Sequence, residues 1–221
     1  MTSKQSQVFH LQISEGEDAS KRPKRADAVA NRELILETAQ RLFSSHGISR
    51  VCMAAIAEAA GIGKGTLYRA FAHKGELCLA LMDEDMRRFQ DRSLQMFREM
   101  STQPALNRLD TFLDRLTQFM DSHAPLLREA QLQGILQSDA STDSNSPNNW
   151  LRETIRVLLE QATQNGEVQG LDTPYLADAI LAPLNADLFM YQRETLGFEV
   201  ERISQGVRRL VLGGCRGATP E

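Results

Sequence analysis

Apolar residues recur every three or four positions along most of the chain between residues 28 and 214, which is the period of an amphipathic α-helix. No segment shows the strict alternation of apolar and polar residues that predicts a β-strand. Glycines, prolines and short polar stretches divide the pattern into about nine predicted helices. Their approximate positions are 28–46, 53–60, 64–71, 76–100, 105–121, 125–137, 149–164, 174–195 and 199–212. The sequence therefore predicts an all-α protein.

The predicted helices form two groups that meet near residue 75. Residues 27–75 carry three of the helices and residues 76–221 carry the rest, so we expect a small N-terminal domain and a larger helical body. Residues 1–26 are polar and weakly patterned, and they end in the basic run KRPKR. We expect this segment to form a disordered arm in front of the first helix.

The segment VCMAAIAEAAGIGKGTLYRAF, residues 51–71, has the pattern of a helix-turn-helix. Gly61 lies between the two short helices, where glycine readily adopts the left-handed conformation that a sharp turn requires. Leu67 and Phe71 are four residues apart and anchor the second helix to the core. In such motifs the second helix enters the major groove of DNA. The first helix contributes the apolar residues Met53, Ile56, Ala57 and Ala60.

The outward face of the second helix is where DNA contacts are expected. Tyr68 offers a hydroxyl and a ring to phosphate or to a thymine methyl, and Arg69 is able to bind a guanine edge or a phosphate. The start of the helix offers its N–H groups and its positive dipole end to phosphate. The alternatives are a solvated helix face, or a helix-turn-helix that contacts another protein. The candidate contacts are Lys64, Gly65, Thr66, Tyr68 and Arg69.

The net charge of −4 conceals an uneven distribution along the chain. Residues 21–74 carry ten basic and four acidic residues, a net of +6. The chain from residue 75 onward carries 14 basic and 22 acidic residues, a net of −8. A basic segment joined to an acidic remainder is typical of a nucleic-acid-binding module attached to a second domain.

Residues 32–77 resemble the N-terminal domain of the TetR family of bacterial transcriptional regulators, through ILETAQRLFSSHG, IAEAAGIGKGTLYRAF and HKGEL. The resemblance implies a homodimer that binds a partly palindromic operator in double-stranded DNA, most often as a repressor. It also implies a divergent C-terminal helical domain that dimerises and binds a small effector, and it implies that Lys74 contacts a phosphate. Many family members have Thr or Ser where this chain has Cys52, and a thiol is a poor helix cap.

The basic run before the first helix predicts a further DNA contact. We expect Lys24 and Arg25 to lie along the phosphates or to reach into a minor groove, as homeodomain arms do. The alternative is a solvated tail without a fixed contact.

Two apolar stripes near the C-terminus predict the dimer interface. Paired with their copies in a second protomer, they would form a four-helix interface of the kind that the resemblance implies. The alternative is that either stripe faces the core of its own protomer, and Pro183 should disrupt the first of the two helices. The first stripe consists of Leu176, Ile180, Leu184 and Leu188, and the second consists of Val200, Ile203, Val207 and Leu210.

Large apolar residues in the middle helices are the candidates for an effector pocket. The alternative for each of them is an ordinary place in the core. The body is acidic and no lysine follows Lys74, so we expect an apolar, aromatic or cationic effector rather than a strongly anionic one. The candidates are Phe89, Phe112, Leu116, Phe119, Met120, Trp150 and Phe189.

Other classes of protein are disfavoured. No apolar stretch reaches the length of a membrane span, and the N-terminus lacks the basic-then-apolar pattern of a secretory signal. The three cysteines are scattered without a CxxC motif, and the four histidines form no HxxxH or HExxH motif. We therefore expect a cytoplasmic regulator that is not an enzyme and needs no metal or cofactor. The alternative is a dimeric ligand-binding protein whose helix-turn-helix contacts protein.

Overall fold

The computed structural model describes residues 21–134 and 147–216. In the described residues it contains α-helices joined by loops and short 3₁₀ and π turns, and it contains no strand. The all-α prediction is therefore confirmed. The helices are α1 (Lys21–His46), α2 (Met53–Ala59), α3 (Lys64–Ala70), α4 (Lys74–Glu99), α5 (Ala105–Leu132), α6 (Pro147–Gln164), α7 (Thr173–Leu181), α8 (Ala186–Met190) and α9 (Val200–Arg216).

Two hydrophobic cores organise these helices, and α4 belongs to both. Its first turns place Leu77 and Cys78 in a small core with α1, α2 and α3. Further along, Met82, Phe89 and Met96 of the same helix lie in the core of the body, together with α5 to α9. The boundary near residue 75 therefore lies at the beginning of a shared helix.

The first helix begins earlier than the sequence predicted. Residues 21–26 form the first turns of α1, so the expectation of a disordered arm up to residue 26 is wrong for them. Pro23 is compatible with this position because the N–H groups of a first helical turn have no partner within the helix. Residues 1–20 lie outside the described part of the chain.

Two other predicted boundaries are corrected at prolines. The helices expected at 105–121 and 125–137 are the single helix α5, which continues through Pro125. Its buried face extends from Ala105 to Ala130, and this packing outweighs the hydrogen bond that the proline removes. Near Pro183 the helix expected at 174–195 does break, into a 3₁₀ turn at Ala182–Leu184 followed by α8.

Ion pairs fasten α9 to α5 across the body. The guanidinium of Arg208 binds the carboxylate of Asp110, and it also lies 3.3 Å from Asp114. Ser204 donates a hydrogen bond of 2.6 Å to the same Asp114. One face of α9 therefore packs against α5 of its own protomer.

The N-terminus of α5 is capped by a residue that is distant in sequence. The carboxylate of Glu167 accepts hydrogen bonds from the backbone N–H groups of Ala105 at 2.7 Å and Leu106 at 2.9 Å. Partial burial opposes ionisation of Glu167, but these hydrogen bonds outweigh it, and the pKa of the carboxyl is lowered. The charged form therefore stabilises the start of the central helix of the body.

None of the helices in the described residues has both the length and the apolar character that crossing a membrane requires.

We predict that Glu167→Gln lowers the free energy of unfolding by about 1 kcal/mol at pH 7, because a neutral amide is a weaker cap than a carboxylate. Because the pKa of Glu167 is lower in the folded than in the unfolded protein, its carboxylate stabilises the fold at pH values above the unfolded-state pKa. This contribution is lost as the pH falls. The difference between the two proteins should therefore shrink below about pH 4.5 in urea unfolding experiments. Glu99→Gln, at an exposed position of α4, is the control, and a pH-independent difference at Glu167 would contradict the prediction.

Candidate nucleic-acid interface

The helix-turn-helix is formed by α2, a four-residue turn at 60–63 and α3. Gly61 adopts a positive φ of 67°, and the N–H of Ile62 donates a hydrogen bond of 3.0 Å to the carbonyl of Ala57. This closes the end of α2 and turns the chain towards α3. Leu67 and Phe71 are buried in the small core, as their spacing predicted.

The opposite face of α3 is open to solvent. Lys64, Gly65, Tyr68 and Arg69 are exposed there, with Tyr68 at 49%, and Thr66 is half-buried. Buried leucine and phenylalanine on one side fix the orientation of the helix, so these residues form one outward surface. The structure thus brings together all five candidate contacts of α3.

Arg69 lies back along the surface of its own helix. Its Nε donates to the carbonyl of Gly65 at 3.1 Å and its Nη2 donates to the hydroxyl of Thr66 at 3.3 Å. These are exposed hydrogen bonds between near neighbours, and they hold the guanidinium on the outward surface.

A residue that the sequence analysis missed, Arg32, fastens the end of α3 to α1. Its guanidinium lies 4.3 Å from the centre of the Phe71 ring and donates to the carbonyl of Ala70 at 3.3 Å. A cation at the C-terminus of a helix also interacts favourably with the helix dipole. Arg32 therefore positions α3, and the only sequence signal was its place in the basic segment.

Lys74, for which the resemblance implies a phosphate contact, lies in a different environment from the candidates on α3. The residue is only 8% exposed, and its ammonium lies 3.4 Å from the carboxylate of Glu129 on α5. It therefore presents a neutralised, buried charge rather than a free one. Its partner is 55 positions away, and no pattern in the sequence connects the two.

Three further residues singled out in the sequence lie at the beginnings of α1 and α2. Lys24 and Arg25 lie in the first turns of α1, and only their backbone is described. Cys52 is the N-cap residue of α2 and makes no side-chain capping hydrogen bond, as expected of a thiol.

Cys78 does not have the environment of a reactive thiol. Burial first, and then the nearby charge of Glu129, raises the pKa of the Cys78 thiol to about 12, although Lys74 opposes the shift. Cys78 is therefore protonated at neutral pH. In the described residues, no three side chains of the metal-ligating types lie close enough together to hold a metal ion.

The candidate effector residues meet in an aromatic cluster in the body core. Phe89 lies 4.9 Å from Phe119 and 6.1 Å from Trp150, and Phe112 lies 6.0 Å from Trp150, measured between ring centres. The remaining candidates, Leu116, Met120 and Phe189, are buried in the same core.

A cleft of about 1040 Å³ lies beside this cluster, between α4 and α5 and next to α1. Phe89 and Phe119 line it, together with Phe43 of α1. Arg92 and Arg115 also line the cleft, and in the described residues neither forms an ion pair.

The predicted dimer stripes are mostly buried within their own protomer, so they cannot form an interface as a set. The periodicity identified the apolar face of each helix correctly, but that face packs on the protomer's own helices: α7 chiefly on α6, and α8 and α9 chiefly on α5. Leu176 is half-buried against the same core. Leu188 and Leu210 are exposed, the latter at 70%. The buried members are Ile180, Leu184, Val200, Ile203 and Val207.

A small helical domain with an exposed face of α3, joined to a larger helical body, is the architecture of helix-turn-helix regulators. Residues 35–81 match the model of the family described as bacterial regulatory proteins, tetR family. The N-terminal domain of this chain is therefore of the TetR type, and the resemblance inferred from residues 32–77 is confirmed.

Relatives of known class agree with this assignment. An HTH-type transcriptional regulator of Staphylococcus aureus (strain MRSA252) is 36% identical over 106 residues, which is 47% of this chain and 55% of that protein. Another, from the bovine strain RF122, is 43% identical over 65 residues, 29% of this chain and 35% of that protein. The chain thus spans from about a third to just over half of these relatives' lengths. Both are regulators, in agreement with the expectation of a protein that is not an enzyme.

Solved structures share the fold over the whole body. A TetR-family transcriptional regulator from Pectobacterium atrosepticum is 22% identical, with a TM-score of 0.60 over 89% of this chain and 99% of that one. Thermus thermophilus FadR, a TetR-family repressor solved with lauroyl-CoA, is 16% identical, with a TM-score of 0.58 over 86% of this chain and 96% of that one.

Proposed function

We propose that this protein is a cytoplasmic, homodimeric transcriptional repressor that binds a partly palindromic operator and is controlled by a small effector. The outward surface of α3 carries the proposal, because a basic, aromatic and hydroxyl-bearing face is held outward by Leu67 and Phe71. Two copies of α3 in a symmetric dimer would contact successive major grooves.

We predict that Arg69→Ala weakens binding to the selected operator by about 1–3 kcal/mol if Arg69 contacts a base. The operator is first recovered by selection from a pool of random-sequence duplexes, and binding is then measured by fluorescence anisotropy over a range of salt concentrations. Arg98→Ala, on an exposed turn at the far end of α4, removes the same charge and should leave affinity almost unchanged. If the wild-type protein selects no sequence and shows no salt-dependent binding, the repressor assignment is wrong.

The proposed dimer uses faces that the protomer leaves uncovered. Tyr175, Leu188, Tyr191 and Leu210 are large apolar residues on the outward sides of α7 to α9. On α9, Gly206 and Gly213 flank Leu210 on its exposed side, with open space around both, so a partner helix is able to approach closely. The interface would therefore include Leu188 and Leu210 from the predicted stripes, but not the buried members of those stripes.

We predict that Leu210→Asp shifts the dimer towards monomer in sedimentation experiments. A dimer loses two buried leucines, about 3 kcal/mol or more in total, so the dissociation constant should rise at least about 100-fold. Leu132→Asp is a matched control, since Leu132 is also 70% exposed but lies at the end of α5. Equal effects of the two substitutions, or none, would contradict the proposed interface.

The effector site that we propose is the cleft beside the aromatic cluster. An apolar chain would lie against Phe89 and Phe119, which supports the expected apolar effector. Arg92 and Arg115 at the same cleft favour an anionic group on that effector rather than a cationic one. The lauroyl-CoA in the Thermus thermophilus FadR structure supplies a probe of this chemistry.

We predict that lauroyl-CoA changes the fluorescence of Trp150, the single tryptophan of the chain, and weakens operator binding. Dodecyltrimethylammonium carries a chain of the same length with a positive charge and should bind much more weakly. Arg115→Ala should reduce the affinity for lauroyl-CoA about tenfold, which corresponds to one charge-assisted hydrogen bond. Equal responses to the anionic and the cationic amphiphile would contradict the proposed charge preference.

A further inference from the structure

Lys74 and Glu129 connect the DNA-binding domain to the body through one ion pair. Lys74 is the first residue of α4, four positions after the end of α3, and Glu129 lies in the last turns of α5. The distance from Nζ to the carboxylate is 3.4 Å, and the two side chains are 10% and 15% exposed. The ammonium also lies 5.9 Å from the centre of the Phe43 ring on α1, so three helices meet at this charge.

Gln133 holds the carboxylate in place. Its Nε2 donates to Glu129 at 3.0 Å, and its Oε1 accepts a hydrogen bond of 3.2 Å from the backbone N–H of Gly75. The end of α5 thus contacts the first turn of α4 twice, once through a charge pair and once through an amide. A displacement of α5 relative to α4 would break both contacts together.

We propose that Glu129 competes with the DNA backbone for the ammonium of Lys74 and so sets the operator affinity of the protein. The inference rests on the proposed function and adds a named inhibitory residue to it. A carboxylate and a phosphate are both anions that accept N–H hydrogen bonds, so Lys74 exchanges one partner for the other without being left unpaired. An ammonium held by Glu129 contributes little to the attraction of DNA, and one released from Glu129 contributes fully.

The position of Glu129 on α5 connects its ion pair with Lys74 to the proposed effector cleft, so that a ligand is able to control DNA affinity through this pair. Glu129 is on α5, whose Phe119 lines the proposed effector cleft, whereas Lys74 belongs to the helix that follows α3. A ligand that favours the paired arrangement lowers DNA affinity, and DNA then lowers the affinity for that ligand by the same factor.

The test compares Glu129→Gln with the wild-type protein on the duplex selected from the random pool. Glutamine keeps the size of the side chain and is able to bind Gln133, but it removes the competing charge. We expect binding at least about threefold tighter at 0.1 M salt. We also expect the slope of log affinity against log salt to become steeper by up to about 0.9 per protomer, because Glu129 holds the ammonium away from phosphate in part of the wild-type complexes and in none of the variant's.

The double variant Lys74→Gln/Glu129→Gln separates competition from simple support of the fold, since it leaves neither charge buried alone. It should lose both the gain in affinity and the gain in salt slope. Glu99→Gln removes one acidic charge at the opposite end of α4 and should change neither quantity. Thermal unfolding of each variant shows whether it is folded at the assay temperature.

Lysine acylation followed by mass spectrometry reports directly on the ammonium. Lys74 should react slowly in the wild-type protein, faster in Glu129→Gln, and slowly again when the selected duplex is added to that variant. If the wild-type protein binds DNA but Glu129→Gln changes neither affinity nor salt slope, this inference is overturned while the proposed function stands. If the wild-type protein shows no salt-dependent binding to any duplex, both fall together.

Discussion

The membership of α4 in two hydrophobic cores is the constraint on which the arrangement of the protein depends. Leu77 and Cys78 fix the start of the helix against α1 to α3, and Met82, Phe89 and Met96 fix its continuation against the body. A helix with interlocked side chains at both ends does not rotate or slide freely, because interiors are packed at close to crystal density. We therefore expect a shift imposed on α4 in the body to be transmitted to the domain that carries α3.

Charged residues on α5 complete this framework without adding to the hydrophobic cores. Asp110 and Asp114 bind Arg208 of α9, and Asp121 binds Arg193 at 2.6 Å. Such partly exposed pairs add modest stability, but they specify which face of a neighbouring helix packs inward. The acidic character of the body, which in the sequence bore only on the expected charge of the effector, therefore also has a structural role.

The parts of the fold that sequence reasoning predicted are those that depend on local spacing. Leu67 and Phe71 are one helical turn apart, so their burial determines which residues of α3 face outward. The stripe from Val200 to Val207 is equally periodic, yet periodicity identifies an apolar face and not the surface that covers it. The start of α1 was not predicted because its proline lies in the first helical turn, where proline is compatible with a helix. The continuity of α5 through Pro125 was not predicted because it depends on the packing of the helix in the core. The pairing of Lys74 with Glu129 joins positions 55 residues apart, and no local rule reaches that far.

The same distinction bears on the proposed control of DNA binding. Tyr68 and Arg69 are set by the local geometry of α3, and their orientation does not change unless the small core changes. The environment of Lys74 instead depends on the end of α5, a helix of the body, so in the proposed mechanism it responds to events outside the DNA-binding domain. A coupling free energy between two sites is typically about 1–3 kcal/mol, which is the scale of a charge-assisted hydrogen bond exchanged between two acceptors. A switch of that size requires no rearrangement of either core, because the ammonium keeps an anionic partner in both states.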